Sequence, residues 1–128
     1  MYEVGLSRSF SALHVMPDVD GPEGTLHAHD YRLDVVVRRD GLDDRGMVVD
    51  LDVLQDALER TVAKVADRDL EAIRPADAYA VTVEVLAKWA HGEIGRALDG
   101  DPSVDVSVRA WESADAFGGY SGRSDGPA

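Results

Sequence analysis

The sequence predicts an α+β domain in which one antiparallel sheet packs against two helices. Three observations support this prediction. Two segments near the start alternate apolar and polar residues, two later segments repeat apolar residues at helical spacing, and a further alternating segment follows them. The order strand, strand, helix, helix, strand is typical of an antiparallel sheet with both helices on one face.

The first two strands are predicted at residues 2–16 and 25–39, joined by a loop at 17–24 that is rich in proline, glycine and aspartate. One face of the second strand carries two histidines, a tyrosine and then only aliphatic residues: His27, His29, Tyr31, Leu33, Val35 and Val37. The opposite face is largely charged. This alternation is typical of a half-buried antiparallel strand.

The two helices are predicted at residues 51–65 and 83–98, where apolar residues recur three and four positions apart. Asp50 and Thr82 precede them and are the candidate N-caps. The last strand is predicted at 103–112, with one apolar face made by Val104, Val106, Val108 and Ala110.

The length of 128 residues fits a single domain, predicted at residues 1–117. The remainder, 118–128, is rich in glycine, serine and aspartate, which predicts a flexible C-terminal tail. A short fourth strand near Tyr120 remains an alternative for part of that segment.

The composition excludes several classes of function. The formal net charge is −12, so the chain is expected to bind neither nucleic acid nor anionic membranes. The absence of cysteine excludes disulfides, thiolate metal sites and a cysteine nucleophile. The sequence contains neither a signal-peptide pattern nor a transmembrane span, so a cytoplasmic location and a small-molecule partner are expected.

Three of the four histidines form a candidate metal site. His27 and His29 are two apart on a predicted strand, so their rings lie on the same side, and His14 ends the preceding strand. Three imidazole nitrogens with open positions are typical of catalytic zinc. The alternative is three ordinary polar histidines beside a loop. The fourth histidine, His91, lies next to Gly92 on a helix and is predicted to face solvent.

Five short segments resemble, in the same order, the motifs of one enzyme family. They are Phe10-Ser-Ala-Leu-His14 (F-x-A-A-H), His27-Ala-His-Asp-Tyr31 (H-G-H-N-Y), Gly46-Met-Val-Val-Asp50-Leu (G-M-V-x-D-F), Thr82-Val-Glu84-Val-Leu-Ala (P-T-x-E-N-L-A) and Trp111-Glu112-Ser113 (a late strand ending in E-T). The family is 6-pyruvoyltetrahydropterin synthase together with its 6-carboxytetrahydropterin synthase relatives. The resemblance covers roughly residues 10–120.

The resemblance implies the tunnelling fold, a four-stranded antiparallel sheet with two helices, assembled into trimers that stack as hexamers. It implies that zinc is held by His14, His27 and His29. It also implies that Glu112 anchors a pterin ring, a role that suits a carboxylate because it accepts two parallel N–H bonds.

Two positions depart from the family pattern. Glu23 occupies the place of the usual cysteine, four residues before the H-x-H pair, as in a subgroup of the family with aldolase-like activity. It can act as a general base, or it is a solvated loop acid. The usual Asp–His pair is absent, because the matching residues are Ala66 and Asp67. Asp67 is either a replacement acid or base, or a surface residue at the end of a helix.

The motifs and the two departures are compatible with three functions. The first is a zinc-dependent lyase acting on a dihydroneopterin triphosphate-like pterin, with Glu23 in place of the cysteine; the candidate phosphate ligands are Arg8, Arg32 and Arg68. The second is a diverged enzyme that uses zinc and carboxylates for a cyclisation, dehydration or aldol-type step on a non-pterin carbonyl compound. The third is a non-catalytic binding or assembly protein. Fold and metal alone do not distinguish among them.

Overall fold

The computed structural model describes residues 1–124 of the 128-residue chain. In chain order the elements are β1 (Tyr2–His14), β2 (His27–Arg39), α1 (Leu51–Ala63), α2 (Val83–Ala97), β3 (Asp105–Trp111) and β4 (Phe117–Arg123). The strands lie in the order β1-β2-β3-β4, and each neighbouring pair is antiparallel. The predicted α+β class is therefore confirmed. Among residues 1–124, no helix has the length and apolar character needed to cross a bilayer.

The core lies between one face of the sheet and the two helices. Alternation in β2 and β3 places aliphatic side chains on that face with none of their surface exposed: Leu33, Val35, Val37, Val106, Val108 and Ala110. The helices cover them with Leu54 and Leu58 from α1 and Leu86 and Ile94 from α2, all at most 2% exposed. Both helices therefore pack on the same face, as predicted.

Each helix begins at its predicted cap. The Asp50 carboxylate accepts a hydrogen bond from the Asp52 N–H at 2.9 Å, and the Thr82 hydroxyl accepts one from the Val85 N–H at 3.2 Å. These bonds satisfy backbone donors that have no partner within the first turn of a helix. Thr82 thereby fixes the start of α2 beside the end of the sheet.

The face of the sheet that the helices leave uncovered carries a polar network centred on Asp34. Its carboxylate accepts hydrogen bonds from Ser7 at 2.6 Å, Arg32 at 3.0 Å and the Trp111 indole at 2.7 Å. Burial opposes ionisation of Asp34, but these hydrogen bonds outweigh it and lower its pKa. The network connects β1, β2 and β3.

The C-terminal boundary predicted at residue 117 is wrong. Phe117–Arg123 form β4, paired along their length with β3, so a fourth strand near Tyr120 replaces the predicted flexible tail over 118–123. Glycine there serves close packing, because a Cβ at Gly118 would lie 2.7 Å from Val83 and 2.9 Å from the Glu84 nitrogen of α2. Residues 125–128 of the predicted tail lie outside the described residues.

The prediction that His91 faces solvent is also wrong. Its side chain is buried, with 6% exposure, because β4 covers that side of α2. The ring N–H at Nε2 donates to the Gly122 carbonyl at 3.2 Å, and the ring meets Tyr120 edge-on with centroids 4.9 Å apart. His91 therefore links α2 to β4.

We expect the substitution Gly118→Ala to lower the free energy of unfolding by about 1–3 kcal/mol, because the added methyl group overlaps α2. Urea denaturation followed by circular dichroism measures this change. Gly41→Ala is the matched control: a Cβ at Gly41 would meet no atom of residues 1–124 within 4 Å, so its effect should be small. Equal effects at the two glycines would show that packing of α2 on β4 does not constrain Gly118.

Candidate metal centre and active site

The structure brings the three predicted histidines together at one end of the sheet. His14 ends β1 and lies directly opposite His27, the first residue of β2, while His29 follows two residues later on the same face. One ring nitrogen from each histidine lies within 4.8 Å of the other two. Two adjacent strands therefore hold the three rings in a compact cluster.

Backbone carbonyls orient two of these rings. Nδ1 of His27 donates to the Thr25 carbonyl at 2.7 Å, and His14 hydrogen-bonds the backbone of Val81, just before α2. A neutral imidazole that donates from one nitrogen presents a lone pair at the other. For His27 that nitrogen is Nε2, which lies 2.8 Å from Nε2 of His29, inside the cluster. Such carbonyl partners are typical of metal-binding histidines.

His14 shows most directly that the cluster fits a metal ion. Its Nε2 is buried and has no hydrogen-bond partner among residues 1–124, an arrangement that costs free energy unless a ligand satisfies the nitrogen. Burial, together with the charges of His27 and His29, lowers the pKa of His14 and so favours its neutral form, which is the form that binds metals. Imidazole nitrogens suit zinc and other first-row transition metals.

Glu23 lies against the histidines. A 3-10 turn at Pro22–Gly24 carries it, and its Oε2 is 3.3 Å from Nε2 of His27 and 3.8 Å from Nε2 of His29. The carboxylate is 58% exposed, which leaves it accessible to an incoming molecule. A carboxylate next to a metal-type cluster can accept a proton from a bound substrate.

Tyr31 connects the histidines to Glu112. It lies two residues beyond His29 on the same face of β2, and the ring centroids are 5.7 Å apart. Burial raises the pKa of the Tyr31 phenol, and the charges of Glu112 and Glu23 raise it further. Both carboxylates are therefore close enough to Tyr31 to influence it. Glu112 itself follows β3 and is exposed.

Asp67 lies apart from the cluster. It has a left-handed backbone, φ 60°, and its N–H donates to the Ser11 carbonyl at 2.6 Å. The next residues pair with the outer edge of β1, where the Leu13 N–H donates to the Arg68 carbonyl at 2.8 Å. Within one chain, the structure thus brings Glu23 to the histidines and leaves Asp67 at the edge of the sheet.

Three residues of this site were not among the predicted site residues. Tyr31 shares the alternation of His27 and His29, so strand parity alone could have identified it. Thr25 precedes His27 by two residues, which is a weaker signal. Val81 has no signal in the sequence, because its contact with His14 depends on how α2 docks against the sheet.

The fold and the site define an α+β protein with a candidate three-histidine metal centre at the end of its sheet. The chain belongs to the 6-pyruvoyl tetrahydropterin synthase family, whose model matches residues 3–123. This confirms the family resemblance. The enzymes of this family are lyases of the pterin-synthase type.

Individual relatives agree with this membership. The 6-carboxy-5,6,7,8-tetrahydropterin synthase of Bacillus subtilis is 29% identical over 100 residues, which cover 77% of this chain and 68% of that protein. The Caenorhabditis elegans 6-pyruvoyl tetrahydropterin synthase superposes with a TM-score of 0.73 at 22% identity, covering 95% and 97% of the two chains. A Plasmodium vivax 6-pyruvoyltetrahydropterin synthase, with a catalytic glutamate replaced by alanine, gives 0.76 at 14% identity and covers 95% and 98%. The predicted tunnelling fold is confirmed.

Proposed function

We propose that this protein is a zinc-dependent lyase that acts on a dihydroneopterin triphosphate-like pterin, with Glu23 as its proton-transfer group. The observation that carries this proposal is the position of the Glu23 carboxylate, 3.3 Å from a nitrogen of the histidine cluster. His14, His27 and His29 would hold the ion. The glutamate described as catalytic in the Plasmodium vivax relative supports a glutamate in this role.

The chemistry that zinc supplies when bound is polarisation of a substrate oxygen, which acidifies the neighbouring C–H bond. Glu23 accepts the proton from that carbon and returns it elsewhere on the side chain as the bond to the leaving group breaks. Its carboxylate is exposed and lies beside the histidine cluster, so a substrate side chain bound there would be within its reach. The Thr25 and Val81 carbonyls keep His27 and His14 oriented during these transfers.

Glu112 would bind the pterin ring. Its carboxylate can accept two parallel N–H bonds from the aminopyrimidine edge, an arrangement that fixes both position and direction. The influence of its charge on Tyr31, whose ring lies 5.7 Å from that of His29, supports ring recognition near the reacting end of the substrate. Asp67 remains a candidate second acid or base, which in an assembly of chains would act from the edge of β1.

A second candidate keeps the metal and changes the substrate to a carbonyl compound without phosphates. One observation favours it: two of the three candidate phosphate ligands are already paired. Arg8 forms an ion pair with Glu59 at 3.1 Å, and Arg32 pairs with Asp34 on the face of the sheet opposite the histidines. The net charge of −12 also disfavours a triphosphate.

We further propose a homo-oligomer, a trimer or a hexamer, in the cytoplasm. The two outer strands support this proposal, because β4 and the part of β1 before Ser11 present backbone groups at an edge of the sheet. Sedimentation of the purified chain would give its mass, and a monomer would contradict the assembly.

The test of the function is incubation of zinc-loaded protein with 7,8-dihydroneopterin triphosphate, and separately with 7,8-dihydroneopterin. Mass spectrometry follows substrate and product, and metal-stripped protein is the control. Conversion that requires the metal would support the proposal, and the product mass would distinguish side-chain cleavage from triphosphate elimination. If neither pterin is converted by protein that binds one zinc per chain, the second candidate is favoured.

A further inference from the structure

The segment that carries Glu23, here named the Glu23 loop (residues 17–24), is compact and fixed from within. The Met16 N–H donates to the Glu23 carbonyl at 2.8 Å and closes the base of the loop. The Gly24 N–H donates to the Gly21 carbonyl at 3.1 Å. A Cβ at Gly24 would lie 1.7 Å from the Val19 carbonyl oxygen, so the backbone folds tightly on itself. The position of Glu23 is therefore coupled to the rest of the loop.

One side chain from elsewhere in the chain reaches across to this loop. The Tyr79 hydroxyl donates to the Asp18 carboxylate and lies 3.4 Å from the Pro17 carbonyl. Around this contact is an open cleft of about 640 Å³ between the base of the loop and the segment at 71–79. The Glu23 loop and the 71–79 segment are not closely packed where this cleft lies. The hydrogen bond between Tyr79 and Asp18 therefore links them next to open space.

Tyr79 contributes little to the core. It is 66% exposed, so its ring buries little apolar area and contributes little to global stability. Asp18 has a left-handed backbone, φ 61°, which is uncommon for a residue other than glycine. The hydrogen bond from the exposed Tyr79 hydroxyl to the Asp18 carboxylate therefore affects the position of the loop more than the stability of the core.

The same segment also contacts the histidine cluster. Val81, two residues after Tyr79, hydrogen-bonds His14, and Thr82 then caps α2. Residues 79–82 therefore contact the metal-type cluster through His14 and the Glu23 loop through Asp18. Glu23 is itself more than half exposed, so its position depends on where the loop lies.

We propose that the Tyr79–Asp18 hydrogen bond tethers the Glu23 loop over the histidine cluster, which makes Tyr79 a positioning residue that acts through Glu23. The tether itself is a property of the fold, whereas its effect on turnover rests on the proposed function. When the hydrogen bond breaks, the loop loosens, its internal hydrogen bonds open more often, and the Glu23 carboxylate moves away from the cluster.

The first test needs no substrate. Hydrogen exchange, measured by NMR, should speed up roughly three- to tenfold at the Met16 and Gly24 amides in Tyr79→Phe, a factor that corresponds to the loss of one exposed hydrogen bond. Amides of the β2 core should not change. Tyr2→Phe is the matched control, since Tyr2 is exposed at the far end of β1. Asp18→Asn, which keeps a neutral acceptor, should show an intermediate effect.

The second test uses turnover of the pterin. Tyr79→Phe should lower kcat by a similar factor with little change in KM, and it should have no further effect in a Glu23→Gln background. Unchanged exchange at Met16 and Gly24 would overturn the tether. If Tyr79→Phe lowers kcat equally in the unmodified protein and in the Glu23→Gln background, Tyr79 does not position Glu23. Faster exchange in a protein that converts no pterin would support the tether and contradict the proposed function instead.

Discussion

Replacement of His27 by alanine is expected to weaken zinc binding by at least about a hundredfold and to abolish turnover. The basis for this magnitude is that even partners outside the ligand set change metal affinity by about 10- to 100-fold when they are lost. His27 is the central member of the cluster, with Nε2 2.8 Å from His29 and its ring 5.6 Å from that of His14. Competition against a chromophoric chelator measures the affinity.

The chain offers a matched control in its fourth histidine. His91 lies on α2 and donates to the Gly122 carbonyl. Glutamine can replace that donor, so His91→Gln should bind zinc as the unmodified protein does. If His27→Ala retains full affinity, or if His91→Gln loses as much, the cluster is not the metal site.

Replacement of Glu23 by glutamine should lower kcat by about 10²- to 10⁴-fold, the usual contribution of a positioned acid or base. Glutamine keeps the size and most of the shape of glutamate but cannot accept the substrate proton. The three histidines are untouched, so zinc stoichiometry should remain one per chain. Steady-state turnover and metal analysis of the same sample test both expectations.

Two further variants at acidic positions test whether the effect is specific to Glu23. Glu59→Gln removes an exposed carboxylate that pairs with Arg8 on the helical side and should leave kcat unchanged. Glu23→Cys introduces the residue usual at the corresponding place in the family and should recover part of the lost activity. A Glu23→Gln protein with full activity would contradict the role proposed for Glu23.

The parts of the fold that follow from local patterns could be predicted. Alternation from His27 to Val37 predicts both a strand and a shared side for its two histidines, because strand parity depends only on neighbouring residues. The caps Asp50 and Thr82 could be predicted for the same reason.

Features that depend on a distant partner could not be predicted in this way. The composition of 118–123 favours disorder, yet those residues form β4 because β3 offers an edge and α2 requires glycine beside it. His91 shares the helical face of Ala87 and Ile94, but its burial becomes evident only once β4 is in place. The contacts between Tyr79 and Asp18 and between Val81 and His14 join segments that are far apart in the chain.

The polar network around Asp34 has a consequence for strand registration. β1 and β2 are 13 residues each, and a slip of two residues between them would keep each side chain on the face that it occupies now. The pattern of apolar residues therefore distinguishes poorly between the native alignment and one that is shifted by two residues. In the native alignment Ser7 lies opposite Asp34 and donates to it, whereas a slip in one direction places Gly5, which has no donor side chain, opposite Asp34.

A two-residue slip would displace His14 from His27 by about 7 Å and disperse the cluster. The hydrogen bond between Ser7 and Asp34, on the opposite face of the sheet, therefore helps to keep the three histidines together. During folding, a hairpin slipped in that direction keeps its apolar side chains on the core face but lacks the hydrogen bond between Ser7 and Asp34, which favours the native alignment.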